Sequence, residues 1–224
     1  MMDFQKNKIA DAVSKIISDL PEKVILLAAA KTRSLEEVEA VIEAGVTHIG
    51  YNYVQEALPI IEKIGTKATW HMIGHVQSNK AKVVVDNFDV VQTLDSWKIA
   101  KRLNNFCLER KKIMPVLIEI NSGRESNKTG VMPESVEELV IKLSALTNLR
   151  IQGLMTMGPR FGDPEDSRPY FVSTRAAFEK IALMGLHHVE MKYLSMGMSN
   201  SYKIAIEEGA NIVRIGTKLF GERQ

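Results

Sequence analysis

The sequence is poor in cysteine, in long apolar runs and in net charge. Cys107 is the only cysteine, so an internal disulfide is excluded and a reducing compartment, the cytoplasm, is expected. The apolar run at 24–30 is far shorter than the ~20 residues that a membrane-spanning helix needs. The formal net charge of +2 comes without a basic cluster longer than 110–112, so neither a membrane nor a nucleic acid is an expected partner.

The first twenty residues lack the long apolar core and the small-residue cleavage site of a secretory signal. Their apolar residues recur at helical spacing up to Pro21, which predicts an extra N-terminal helix. Apolar residues make up 45% and charged residues 25% of the 224-residue chain, a balance typical of globular proteins. No linker or low-complexity segment divides it, so we expect a single domain over 1–224.

Lys31 stands directly after the apolar run 24–30, which reads as a strand buried on both faces. A lysine held against apolar surroundings loses hydration, which favours the free amine that attacks carbonyl groups. Lys31 is therefore a candidate Schiff-base lysine. The alternative is a surface lysine whose charged end reaches solvent from the end of a strand.

Strand-like and helix-like patterns then alternate along the whole chain. Eight predicted strands start near Val24, Val46, Thr69, Asp89, Pro115, Ile151, Met191 and Asn211. Eight such units are typical of the α/β class and predict a single (β/α)8 TIM barrel. An open doubly wound sheet is the alternative, but the glycine-rich dinucleotide motif expected after its first strand is absent at 31–34.

Polar residues collect where the predicted strands end, which is where TIM barrels carry their active sites. These residues are Lys31, Asn52, His75, Asn121, Ser195 and Arg214. For Asn121 or His75 taken alone, a hydrogen bond within a loop is an equally good explanation. Taken together, the six residues predict a pocket at one end of the barrel.

The last two strands lead into loops suited to a phosphate group. Ser195 to Asn200 contains one glycine and three hydroxyl or amide side chains, and Gly216-Thr217 forms a second glycine–hydroxyl pair. Barrels frequently bind phosphate in the loops after strands seven and eight, through backbone N–H groups. Two such loops at the expected places predict a phosphate site.

A reactive lysine opposite a phosphate site suggests a phosphorylated aldehyde as the ligand. Pyridoxal 5'-phosphate (PLP) fits this description, and so does a phosphosugar in a Schiff-base aldolase. Arg214 favours PLP, because a guanidinium can donate a hydrogen bond to the pyridine nitrogen without giving up its proton. The ring would then stay neutral and be a poor electron sink, which disfavours extensive carbanion chemistry.

Several stretches of the sequence resemble the pyridoxal phosphate homeostasis proteins, also called the proline synthase co-transcribed family. These stretches span the chain and are Ala29 to Thr32, Gly50 to Glu56, His71 to Lys80, Lys128 to Gly130, Leu194 to Asn200 and Val213 to Gly221. The resemblance implies a barrel like the N-terminal domain of bacterial alanine racemase. It also implies an intracellular role in vitamin B6 homeostasis without established catalytic turnover, in which PLP-requiring apoenzymes are possible partners.

The resemblance also implies a role for individual residues. The implied cofactor-binding set is Lys31 as the aldimine lysine, Asn52 near the ring, Arg214 at the pyridine nitrogen, and Ser199, Gly216 and Thr217 at the phosphate, with Ser195 in the loop that leads to it. Two positions depart from the family pattern. Tyr51 stands where glutamate is usual, which places a phenol near the expected pocket mouth, and Ser201 stands where aspartate is common.

Two alternative functions stay open at this point. The first is a PLP-dependent amino-acid racemase, which needs an acid–base group on each face of the substrate carbon. In alanine racemase one of them comes from a second, β-rich domain, which the sequence pattern does not predict here. The second is the aldolase. A zinc site at His71 and His75 is not expected, because the two histidines have suitable spacing but no third ligand. Lys128 could contact an anion or lie in solvent.

Overall fold

The structure is a computed structural model that describes residues 2–125, 128–159 and 162–222. Met1, the first residue of the predicted N-terminal helix, lies outside the described residues. So do residues 126–127, 160–161 and 223–224 of the expected domain over 1–224. The described residues close into a parallel barrel, in which each strand pairs with the next and β8 pairs with β1. The strands are β1 Ile25–Ala29, β2 His48–Tyr51, β3 Thr69–Met72, β4 Val90–Leu94, β5 Met114–Ile120, β6 Leu149–Thr156, β7 Val189–Ser195 and β8 Ile212–Ile215. The predicted (β/α)8 barrel is confirmed.

Helices follow the strands and surround the barrel. They are α1 Met2–Asp19, α2 Leu35–Glu43, α3 Val54–Ile64, α4 Ala81–Asn87, α5 Trp97–Glu109, α6 Val136–Leu143, α7 Arg168–Ala182, α8 Tyr202–Glu207 and α9 Thr217–Phe220. The N-terminal helix α1 packs on α2 and α9 and buries Ile9, Val13 and Ile16. Over the described residues, no helix combines the length and the apolar character that crossing a membrane requires.

Two apolar cores hold the barrel together. The larger one fills the layer between the strands and the surrounding helices. The smaller one contains Leu27, Ile73 and Ile212, which come from β1, the end of β3 and β8. Because β3 is not adjacent to β1 or β8, these contacts cross the barrel interior.

A side-chain cap holds the start of α2, whereas α5 begins without one. Ser34 caps α2: Glu37 N–H donates to Ser34 Oγ over 3.3 Å, and Ser34 N–H donates to Glu37 Oε2 over 2.9 Å. Asp95 is a residue type that favours N-caps and precedes α5, but it does not cap this helix. The N-cap is Ser96, and the Asp95 carboxylate lies 3.5 Å from His75 Nδ1 at the end of the barrel. Tertiary pairing therefore overrides the local capping preference of Asp95.

Candidate functional site

Lys31 lies at the carboxyl end of β1. Ala30 N–H donates to Gly50 O over 2.9 Å, so the pairing of β1 with β2 continues to the residue before the lysine. The Lys31 side chain is half-buried, and Nζ lies 5.0 Å from the centroid of the Tyr53 ring. An ammonium at this distance is attracted by the ring face. The amine therefore has a defined place at the barrel mouth, beside the start of α3.

The residue after Lys31 is held in an uncommon backbone conformation. Thr32 has φ 63°, in the left-handed region that L-residues with a branched side chain rarely adopt. Its N–H donates to Glu56 Oε2 over 3.0 Å, and Glu56 belongs to the first turn of α3. The carboxylate thus stabilises the turn that carries Lys31 out of β1.

A cavity of about 440 Å³ opens at the carboxyl ends of β2 and β3, and Tyr53, whose ring contacts Lys31, forms part of its wall. Asn52, His75 and Lys80 contribute polar groups to its wall. His75 is half-exposed and is oriented by Asp95. The predicted pocket residues from these two strand ends therefore do share one space.

Arg214 is buried on β8, with 4% of its surface exposed. Its Nη1 donates to Ser195 O over 2.7 Å and to Ser195 Oγ over 2.6 Å, and Nη2 donates to Thr156 O over 2.8 Å. Burial lowers the pKa of Arg214 to about 10, and the nearby Glu119 carboxylate opposes this shift. The guanidinium is therefore protonated at neutral pH, and its Nε–H has no partner among the described residues.

The predicted phosphate loops meet each other. Arg214 N–H donates to Gly197 O over 3.1 Å, and Lys218 N–H donates to Ser199 Oγ over 3.4 Å. Gly197 has φ 85°, and a Cβ there would lie 2.6 Å from Ala205 Cβ, so only glycine fits this turn. Gly216 and Thr217 begin α9 next to Ser199. Both loops therefore present backbone and hydroxyl groups at the same place.

Two of the predicted pocket residues, Ser195 and Asn121, have side chains that are hydrogen-bonded to other parts of the protein. Ser195 is fully buried, and its hydroxyl is hydrogen-bonded to Gln92 and to Arg214. It therefore helps to hold the Arg214 guanidinium in place. Asn121 is also buried; its side chain closes the loop after β5 by bonding both the N–H and the O of Glu125, at 3.1 and 2.8 Å. The loop-bonding explanation of Asn121 is thus the one the structure supports.

The prediction that the Tyr51 phenol lies near the pocket mouth is wrong. Its side chain is fully buried and packs beside the ring of Trp70, with 6.4 Å between ring centroids, so the phenol does not line the mouth. Burial raises the pKa of Tyr51. The physical reason is the alternation of a strand: Asn52 faces the pocket, so the preceding residue faces the helix layer. Ser201 is buried as well, and Met198 N–H donates to its hydroxyl over 3.3 Å.

Lys128 and His71 also find partners. Lys128 Nζ lies 2.5 Å from Glu125 Oε1, so an ion pair in the loop occupies it. His71 points into the barrel interior, where its ring contacts His48 and Gln92. The described residues contain no group of three side chains that could hold a metal ion.

Sequence reasoning missed Glu119, which is buried on β5. Thr129 Oγ1 donates to its Oε1 over 3.0 Å, whereas Oε2 is buried without a partner among the described residues. Burial raises the pKa of Glu119, although Thr129 and Arg214 oppose the shift. Its signal in the sequence was a single carboxylate inside an otherwise apolar strand, 116–120. Gln92 and Glu56 gave no comparable signal.

Comparison with known proteins places the chain in a family. The model of the alanine racemase N-terminal domain matches residues 7–224. The chain belongs to this family. A curated relative from Aquifex aeolicus, named pyridoxal phosphate homeostasis protein, is 40% identical over 200 residues, which cover 89% of this chain and 87% of that protein. The predicted family resemblance is therefore confirmed.

Two solved structures extend the comparison. PipY of Synechococcus elongatus, solved with PLP bound, is 30% identical with a TM-score of 0.87, and the match covers 95% of this chain and 100% of that chain. Alanine racemase of Clostridium difficile is 16% identical with a TM-score of 0.78, and the match covers 99% of this chain and 56% of the racemase. The racemase match shows the fold alone, and it confirms that this barrel is the alanine racemase type.

Proposed function

We propose that the chain binds PLP at the carboxyl ends of its strands and acts in PLP homeostasis without turning over a substrate. The main observation that supports this proposal is the order of three groups around the barrel. Lys31 follows β1, Arg214 lies on β8, and the loop with Gly197 and Ser199 follows β7, and these three strands are consecutive neighbours. An amine, a cationic donor and a phosphate-type loop therefore stand side by side, as the parts of one PLP molecule require.

The residues present fit this cofactor. When bound, PLP supplies an aldehyde that condenses with amines and a ring whose electron-withdrawing power depends on the protonation of its nitrogen. Lys31 would provide the amine, and Asn52, which follows the neighbouring strand β2, would contact the ring. Ser199, Gly216 and Thr217 offer hydroxyl and backbone groups to the phosphate. PipY, which is 30% identical to this chain, was solved with PLP bound.

Arg214 supports a binding role over catalysis. Its pKa of about 10 keeps the guanidinium protonated near neutral pH, so it can donate to the ring nitrogen but supplies no proton readily. A ring that stays neutral stabilises carbanions poorly. The relatives' name, pyridoxal phosphate homeostasis protein, describes the same kind of function. PLP-requiring apoenzymes are then the natural recipients, and a reducing cytoplasm is the compartment we propose.

The binding proposal is tested by the absorbance of the purified protein after incubation with PLP. We expect a band in the near ultraviolet to visible range that Lys31→Ala abolishes. Lys101→Ala, which removes an exposed lysine of α5, should leave the band unchanged. A wild-type protein that takes up no PLP would refute the proposal.

The absence of turnover needs its own assay. Alanine and other amino acids are incubated with the PLP-loaded protein, and the optical activity is followed over time. Racemisation that increases with protein concentration and is lost in Lys31→Ala would establish a racemase instead.

The homeostasis role is tested by a transfer assay. We expect the PLP-loaded protein to activate an unrelated PLP-requiring apoenzyme. A loaded protein that does not release its PLP would contradict a delivery role.

A further inference from the structure

A path of hydrogen bonds runs through the barrel interior and ends on Arg214. The distances from one end to the other are 2.8 Å between His48 Nδ1 and His71 Nε2, 3.0 Å between His71 Nδ1 and Gln92 Nε2, 2.7 Å between Gln92 Oε1 and Ser195 Oγ, and 2.6 Å between Ser195 Oγ and Arg214 Nη1. Gln92 and Ser195 lie on β4 and β7, which are not neighbours, so their bond crosses the barrel. We call these five residues the internal polar path.

The arginine sets the direction of every bond in the internal polar path. A guanidinium only donates, so Ser195 Oγ accepts from Arg214 and directs its own hydrogen to Gln92 Oε1. The amide group of Gln92 then faces His71 Nδ1 and donates to it. His71 must therefore carry its hydrogen on Nε2, and that hydrogen is donated to His48 Nδ1.

The middle of the internal polar path is buried, whereas its end at His48 is partly exposed. His71 is 3% exposed and Gln92 is fully buried, whereas His48, the first residue of β2, is half-buried at the amino-terminal end of the barrel. Burial and the neighbouring His48 lower the pKa of His71 to about 3, so it stays neutral. Burial also lowers the pKa of His48 below its usual value of 6.5, and the carboxylate of Asp89 opposes this shift.

We propose that His71 and Gln92 are positioning residues that hold Arg214 for the cofactor, and that they couple it to the protonation of His48 at the opposite end of the barrel. This inference rests on the proposed function, because Arg214 matters to the cofactor only if PLP binds. None of the residues between His48 and Arg214 needs to touch the cofactor. Their effect passes through the hydrogen bonds of the guanidinium.

Protonation of His48 conflicts with the direction of the internal polar path. A protonated imidazole donates at both nitrogens, so His48 Nδ1–H would face His71 Nε2–H. Relief requires His71 to take the other tautomer and the Gln92 amide to turn over. The Ser195 hydroxyl would then receive two donors and lose Gln92 Oε1 as its acceptor. The path is therefore stable above the pKa of His48 and is disturbed as the pH falls through it.

The charged groups that act on the two ends are few among the described residues. Asp89, which precedes β4, acts on His48, His48 acts on His71, and Glu119 on β5 acts on Arg214. Glu119 also titrates, so the test must isolate His48 from it. A variant at position 48 does this, because it leaves Glu119 and the cofactor's own titrating groups unchanged.

The first experiment measures PLP affinity by absorbance titration from about pH 8 to about pH 5, for the wild type and for His48→Asn. Asparagine keeps an acceptor near the position of Nδ1 but does not titrate. We expect wild-type affinity to fall roughly tenfold below pH 6.5, the size of one hydrogen bond to a charged group, and we expect His48→Asn to lack this step. Coincident pH profiles of the two proteins would overturn the coupling.

The second experiment needs no cofactor. Nitrogen-15 NMR of the histidine rings in the PLP-free protein reports which nitrogen of His71 carries hydrogen. We expect hydrogen on Nε2 in the wild type, and on Nδ1 in Gln92→Glu, because a carboxylate can only accept there. The exposed His187 is an internal control that should not change. Hydrogen on His71 Nδ1 in the wild type would overturn the inference even if the Gln92 variant does not fold.

The two experiments separate this inference from the proposed function. If the wild type binds no PLP, the proposed function fails and the positioning role fails with it, while the NMR result still decides the direction of the path. If PLP binds, and the pH profiles coincide or His71 shows the other tautomer, only the inference fails.

Discussion

Replacing Glu56 tests how the turn after β1 holds Lys31. The Glu56 carboxylate accepts from Thr32 N–H over 3.0 Å, at an exposed position, and Thr32 has φ 63°. A left-handed conformation costs an L-residue about 1–2 kcal/mol. A hydrogen bond to a charged group contributes about 1.5–3 kcal/mol when buried, and we reduce this to about 1 kcal/mol because water competes at this site. Glu56→Ala should therefore release much of the restraint on the turn.

The expected outcome of Glu56→Ala is a loss of about 1 kcal/mol in the free energy of unfolding and roughly a fivefold weaker affinity for PLP. Urea unfolding measures the first quantity, and absorbance titration with PLP measures the second. Glu62→Ala, on the exposed side of the same helix α3, is the matched control. Thr32→Gly removes the steric cost of the turn, so the effect of Glu56→Ala on affinity should be smaller in its background. Wild-type affinity and stability in Glu56→Ala would refute this account of the turn.

Three further predictions concern the site and the core. The pKa of Glu119 is raised by burial, so its contribution to stability is present below its unfolded pKa and is lost as the pH rises through the folded pKa. Glu119→Gln should therefore gain stability relative to wild type from acid to neutral pH in urea unfolding, and a pH-independent difference would contradict this. Gly197→Ala, with φ 85° and a Cβ 2.6 Å from Ala205 Cβ, should lower the unfolding free energy by more than about 1 kcal/mol and weaken binding of PLP more than of pyridoxal, which lacks the phosphate. Cys107 is buried and its pKa is raised to about 11, so a thiol reagent should label it only in urea; rapid labelling of the folded protein would show that it is accessible.

Much of the fold was predictable because the signals are local. The apolar run 24–30 forms a largely buried strand, whereas β7 is buried only at its carboxyl end. Eight strand patterns separated by helical patterns are typical of a barrel. The boundaries were less predictable. Strand β2 begins at His48 rather than near Val46, and β7 begins at Val189 rather than near Met191. Strand ends depend on pairing with neighbours, which the local pattern does not contain.

For the candidate site, the sequence indicated which residue types stand at the strand ends, and the structure decided what each one faces. Lys31, Asn52 and Arg214 were placed by the rule that barrel sites form at the carboxyl ends of strands. Tyr51 was misplaced because one step along a strand changes the face of the sheet. These are differences of a single residue, and only the barrel geometry settles them.

The chain by itself determined the alternation of strands and helices, the cap at Ser34 and the polar strand ends, because each depends on residues close together in sequence. The bond between Ser195 and Gln92, which joins residues 103 positions apart, exists only once the barrel has closed. The same holds for the burial of Arg214 and for the contacts of the His71 ring with His48 and Gln92. Tertiary structure decided these features, because hydrogen bonds and burial depend on neighbours that the fold brings together.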